Sequence, residues 1–153
     1  MKTLVLGLGN PLVTDDSVGL RVAAELRARL AGRADVTVAE DYCGGLRLME
    51  QMVGYQRAIV IDAIQTGAPP GTLHRLGPGD IPTQRSASSH DMTLPTALAL
   101  GRQAGLCLPE DHNILLVGIE AQDILDFGEA CTPAVAAAVP GAVAAVLAAL
   151  DRV

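Results

Sequence analysis

The chain has 153 residues, half of them hydrophobic, with a formal net charge of −6 and a pI near 4.9. Its eleven Lys and Arg are scattered without a basic cluster, which disfavours nucleic-acid binding by phosphate neutralisation, and one Phe with two Tyr offers no stacking platform for bases or sugars. No apolar run approaches the roughly 20 residues of a membrane span, so no span is expected, and the length predicts a single domain over residues 1–153.

Cys43, Cys107 and Cys131 are odd in number and lack C-x-x-C spacing, as expected of a reduced, cytoplasmic chain. The strand-like start behind Lys2, with no separate apolar segment and small-residue cleavage site, predicts no secretory leader.

Thr3 to Leu8 is an apolar run of strand length that ends in Gly7, Gly9 and Asn10, residues suited to a tight turn. Two adjacent acids follow, Asp15 and Asp16. A helix is then predicted from Val18 to about Ala31, with Val18, Val22, Ala23 and Leu26 on one face and Gly32 as its stop. Asp35 to Glu40 alternates and is rich in β-branched residues, a second strand. Its exit, Glu40 to Gly45, is acidic and glycine-rich, and Leu46 to about Val53 makes a short helix.

Arg57 to Ala63 contains a continuous apolar run, as expected of a strand covered on both faces, and reaches Asp62 near its end. Thr72 to Leu76 reads as a fourth strand that can lie antiparallel at an edge. Gly77 to Ser89 is a loop long enough to suspect function; His90 follows, then a helix through Leu94, Ala97, Leu98 and Leu100. Asn113 to Ile119 is another buried strand. Thr132 and Pro133 form an N-cap and first-turn pair for a C-terminal helix that Pro140 and Gly141 should kink or break. Alternating strands and helices predict an α/β fold: a three-layer sandwich with a mostly parallel five-stranded sheet and helices on both faces.

In such sheets the ligand crevice lies beyond the carboxyl ends of the strands, beside a switch in strand order. Asp16 follows the first strand and Asp62 ends the third. If those strands are neighbours, two carboxylates enter one crevice, and His90 at a loop-to-helix junction adds a nitrogen. Two oxygens and one imidazole can coordinate zinc, nickel or manganese and leave positions open. Each residue also has a bland role: Asp16 as a helix cap, Asp62 as a turn former, His90 as a cap or surface residue. His74 and His112 read as surface residues. The glycines fit a tight strand-to-helix turn better than a dinucleotide fingerprint, for which Glu40 is the sole candidate acid.

The segment LVLGLGNPLVTDDSVGLRVAAEL, with its G-x-G-N followed by D-D-x-x-G, resembles the N-terminal signature of the nickel-iron hydrogenase maturation endopeptidases. The resemblance continues through IVIDAI ending at Ile64, SSHDMTLPTAL at Ser88 to Leu98, LLVGIE at Leu115 to Glu120 and TPAV at Thr132 to Val135. It implies a phosphorylase/hydrolase-like fold and a metal-binding, catalytic set of Asp16, Asp62 and His90. It implies, too, an enzyme that recognises nickel already inserted in the hydrogenase large-subunit precursor and then removes a short C-terminal extension. Nickel would thus come with the substrate and complete its shell with Asp16, Asp62 and His90. Cleavage would proceed by a polarised carbonyl or an activated water, with Asp15 or His90 in proton transfer. The free enzyme is expected to be a monomer.

Where that family commonly has D-G-G-T-x-G after the second strand, this chain has Glu40, Asp41, Tyr42, Cys43, Gly44 and Gly45. Two alternatives stand beside this reading. Peptidyl-tRNA hydrolase shares the G-L-G-N-P opening, although an acidic chain suits tRNA poorly. A non-catalytic assembly factor that binds the nickel centre would use the same ligands.

Overall fold

The computed structural model describes residues 1–42, 44–80 and 93–152. Five strands, β1 (Thr3–Leu8), β2 (Val36–Asp41), β3 (Arg57–Ile64), β4 (Leu73–Leu76) and β5 (Ile114–Glu120), form one sheet in the order β2-β1-β3-β5-β4. All pairs are parallel except β4 with β5, so the edge strand predicted to run antiparallel does so. The α-helices among the described residues are α1 (Val18–Arg29), α2 (Gly45–Gln51), α3 (Leu94–Gln103) and α4 (Pro133–Leu150).

Strand alternation divides the interior into two cores. Val5, Ile59, Ile61, Val117 and Ile119 face α1 and α4, whereas Leu4, Leu6, Leu8, Val60, Ile64 and Leu116 face α2 and α3. That is the three-layer sandwich read from the sequence. Each large side chain buried this way stabilises the fold by about 1.5–3 kcal/mol.

α4 is continuous through Pro140, so the helix does not break there. Pro140 faces solvent, while Val135, Val139, Ala142, Val143, Val146 and Leu150 keep helical spacing across it and bury against α1 and the sheet. Continuous packing on that stripe outweighs a local penalty of about 3 kcal/mol for interior proline. α4 is long and apolar enough to cross a membrane by length and composition, and one stripe of it packs on α1 and the sheet. Its last turn is tied down by Arg57, whose guanidinium donates to the carbonyls of Ala149, Leu150 and Arg152 at 3.1–3.2 Å. A cation at a helix C-terminus satisfies orphan carbonyls and favours the dipole.

β1 and β3 are neighbours with Gly7 opposite Ile61, and the chain leaves β1 to one side for β2 and to the other for β3. Their carboxyl ends therefore flank the switch point. α1 drives into that point: a Cβ on Gly19 would sit 2.4 Å from the carbonyl oxygens of both Leu8 and Ile61. A Cβ on Gly9 would likewise collide with the carbonyl oxygen of Asp16. The glycines of the opening motif thus set how closely the strand, turn and helix approach.

Gly19→Ala is accordingly expected to destabilise the fold by about 3 kcal/mol, because the obstructing atoms are backbone and cannot rotate away. Urea denaturation of the variant beside the wild type checks this, and an unchanged midpoint would contradict it.

Candidate functional site

The two acids that open the first helix are turned to different tasks. They sit in a single 3-10 turn, Asp15–Ser17, packed against β3 at the carboxyl edge of the sheet. Asp15 is fully buried. Its Oδ2 accepts the N–H groups of Gln122 and Asp123 at 2.9 Å, and its Oδ1 accepts the Thr132 N–H at 2.7 Å. The Thr132 hydroxyl lies within 2.8–3.0 Å of both oxygens. One carboxylate therefore pins the turn after β5 and the start of α4 to the end of β1.

This corrects the proton-transfer role considered for Asp15. Both oxygens are committed to structural donors, away from solvent. It also explains why Thr132, positioned at the N-cap of α4, makes no capping bond with its own side chain: the hydroxyl goes to Asp15 instead.

Asp16 is half-buried, and its Oδ2 accepts the Asn10 N–H at 3.0 Å. That bond folds the turn after Gly9 back onto the acid. Asp62 lies one residue beyond Ile61 on β3, buried, on the sheet face shared with Val60 and Ile64. The structure thus brings Asp16 and Asp62 to the ends of neighbouring strands. α3 packs on the same face as Asp62 and is entered through Thr93, which caps it by accepting the Thr96 N–H. His90 and the rest of 81–92 lie outside the described residues, as does Cys43. Among the described residues no three His, Cys, Asp or Glu side chains gather to hold a metal ion, so a site on the predicted pattern requires His90.

A third buried acid stands two rows beyond Asp62 along the sheet edge. Glu120, in register with Ile64, accepts the Thr66 N–H at 2.7 Å and the Thr66 hydroxyl at 2.6 Å, with His74 Nε2 at 3.1 Å. His74, expected at the surface, is half-buried against it. Burial pushes the Glu120 carboxyl up, but donors from Thr66, His74 and the Gly67 N–H outweigh it and hold the group below the ordinary carboxylate range. These bonds fix the chain leaving β3 just after Asp62. The sequence signal was an acid directly after a buried strand, and its partner Thr66 was not foreseen.

A depressed carboxyl contributes stability above its unfolded value, near 4.5, and loses it as pH falls through the lower folded one. Glu120→Gln should therefore cost about 2 kcal/mol near neutrality. Its deficit relative to wild type should shrink as pH drops below about 4.5. Thermal melts from pH 7 to 3 check this, and a pH-independent deficit would contradict it.

At the end of β2, the altered Glu40–Gly45 segment keeps one working acid. Asp41 accepts the Tyr42 N–H at 2.7 Å and holds α2 through Arg47 at 3.0 Å and Gln51 at 2.5 Å. Burial raises the Asp41 carboxyl, and these bonds more than reverse it, leaving it below the usual range. Glu40 instead pairs with Arg27 on the surface, a place unsuited to the dinucleotide acid considered above. A cavity of about 720 Å³ lies at the opposite, amino-terminal edge of the sheet, bordered by Arg57, Ile59, Leu76 and Leu150, remote from Asp16 and Asp62.

Known proteins share this sequence and fold. The family model for hydrogenase maturation proteases matches residues 20–149. The chain is 31% identical over 153 residues to the hydrogenase 2 maturation protease of Escherichia coli, covering 98% of this chain and 91% of that protein. It is also 31% identical to the hydrogenase expression/formation protein HupD of Bradyrhizobium diazoefficiens, of which it spans 70%, and 27% identical to HupD of Thiocapsa roseopersicina, of which it spans 60%. The fold superposes on the hydrogenase maturating endopeptidase HybD from Escherichia coli with a TM-score of 0.77 at 29% identity, covering 98% of this chain and 92% of that one. The peptidyl-tRNA hydrolase and assembly-factor alternatives gain no support from these relatives. By sequence and by fold, the chain belongs to the hydrogenase maturation protease family, whose members hydrolyse peptide bonds.

Proposed function

We propose that this enzyme removes the C-terminal extension of a nickel-iron hydrogenase large-subunit precursor after nickel insertion, using Asp16, Asp62 and His90. The observation that carries the reading is the adjacency of β1 and β3, which sets Asp16 and Asp62 at the switch point of the sheet in a chain of this family. Two carboxylates and an imidazole suit a borderline divalent ion and leave much of its shell to other donors. Nickel held by the substrate fits such an incomplete set, so docking depends on the metal being in place. What the ion supplies there is Lewis-acid polarisation.

The protein's own part is to hold and orient. The Asn10 N–H keeps Asp16 directed into the turn, Asp15 locks that turn from behind, and Glu120 with Thr66 steadies the chain after Asp62. We place the enzyme in the cytoplasm, as a monomer with its crevice open to a large partner. Mass spectrometry of a nickel-loaded precursor after incubation with the enzyme tests the reading. Loss of a C-terminal fragment is expected. A stable complex without cleavage would indicate an assembly factor instead.

A further inference from the structure

We propose that the paired turns following β1 and β5 form a docking surface for the precursor polypeptide that this protease cuts, an inference that rests on the function proposed above. Leu12 is 62% exposed, Leu125 85% and Phe127 84%. Phe127 is the one phenylalanine in the chain, and it is spent on the surface.

Leu125 and Phe127 gain little from the protein's own packing and Leu12 only part of what burial offers, yet the backbone under them is tightly held. Val13 and Phe127 form an antiparallel bridge, and the Gly128 N–H donates to the Leu12 carbonyl at 3.0 Å. Thr14 donates to the Asp126 carbonyl from both its N–H, at 3.1 Å, and its hydroxyl, at 2.7 Å. Asp123 accepts the N–H groups of Leu125 and Asp126, each at 3.0 Å. Buried Asp15 secures the base of both turns. Polar bonds thus rigidify a segment whose large apolar side chains stay in water. That arrangement is costly for a bare surface and suited to binding, because a preorganised backbone loses little entropy when a partner arrives.

The position selects the occupant. Leu12 and Val13 lead through Thr14 to Asp15 and Asp16, and Asp15 in turn holds Gln122 and Asp123 at the start of the second turn, so both turns adjoin Asp16. A polypeptide engaged at Asp16 therefore lies beside these turns. The partner is accordingly an apolar patch of the precursor beside its cleaved segment, with the aromatic and leucine side chains as anchors.

The test compares cleavage kinetics of wild type and the triple variant Leu12→Ser, Leu125→Ser, Phe127→Ser on the nickel-loaded precursor. Leu106→Ser, an exposed leucine on the opposite, amino-terminal side of the sheet, serves as control. The expected result is KM raised about tenfold or more in the triple variant with kcat nearly unchanged, an unaltered melting temperature and a silent control. An unchanged KM would overturn the docking surface while leaving the proposed function intact. A wild type that is dimeric by sedimentation, with the triple variant monomeric and its KM unchanged, would overturn it in favour of a second copy of the chain. A wild type that neither binds nor cuts the precursor would remove the proposed function and this surface together.

Discussion

Exchange of Asp62 for Asn should lower cleavage of the nickel-loaded precursor by about 10³-fold, within the range lost when a positioned acid or base is removed. The same is expected of Asp16→Asn. Both exchanges keep shape and hydrogen-bonding capacity while removing the negative charge that a divalent ion requires of its oxygen donors. Circular dichroism should show native secondary structure in each. The effects should also fail to add: if both acids act on one ion, the double variant processes the precursor no more slowly than either single one. Additive losses would mean that the two carboxylates work separately.

Asp15 should behave in the opposite sense. Asp15→Ala leaves the N–H groups of Gln122, Asp123 and Thr132 without their buried acceptor. Charged hydrogen bonds and orphaned donors of this kind are worth about 4 kcal/mol together, a large part of the 5–15 kcal/mol of a typical domain. The expected fall in melting temperature is on the order of 10 °C. Asp15→Asn, which retains one acceptor oxygen, should lose about half as much. Neighbouring acids thus separate cleanly, one read by a melt and the other by a rate. A stable Asp15→Ala protein would undo the assignment.

The difference between those acids marks what sequence reasoning reaches. Strands were legible wherever β-branched runs stood between glycine-rich turns, and their boundaries moved by only a residue or so, as with β2 beginning at Val36 rather than Asp35. The placement of Asp16 and Asp62 near the ends of neighbouring strands was legible as well, because a carboxylate at the end of a buried strand has few other places to go in a parallel sheet. Long-range polar partners were not. Thr132 lies far from Asp15 in sequence, and Glu120 binds Thr66 and His74 across three strand ends. Such pairs depend on strand order, which local periodicity does not encode. The helix continues past Pro140 for a related reason: local propensity weighs one missing hydrogen bond, whereas the folded helix has a buried stripe running past it.

The glycines show the same limit from the other side. Gly19 reads in sequence as the last glycine of the D-D-x-x-G motif, a residue of poor helix propensity with no packing role visible there. In the fold it is the point where α1 rests on the carbonyls of Leu8 and Ile61, so its small size sets how closely the helix approaches the ends of β1 and β3.

Calorimetric titration of nickel into the isolated enzyme probes the shared ion without reference to turnover. A single equivalent should bind to the wild type, and Asp16→Ala, Asp62→Ala and His90→Ala should each weaken that same event by about 100-fold or more. Binding that survives undiminished in any one of the three would show that the side chain removed does not belong to the site.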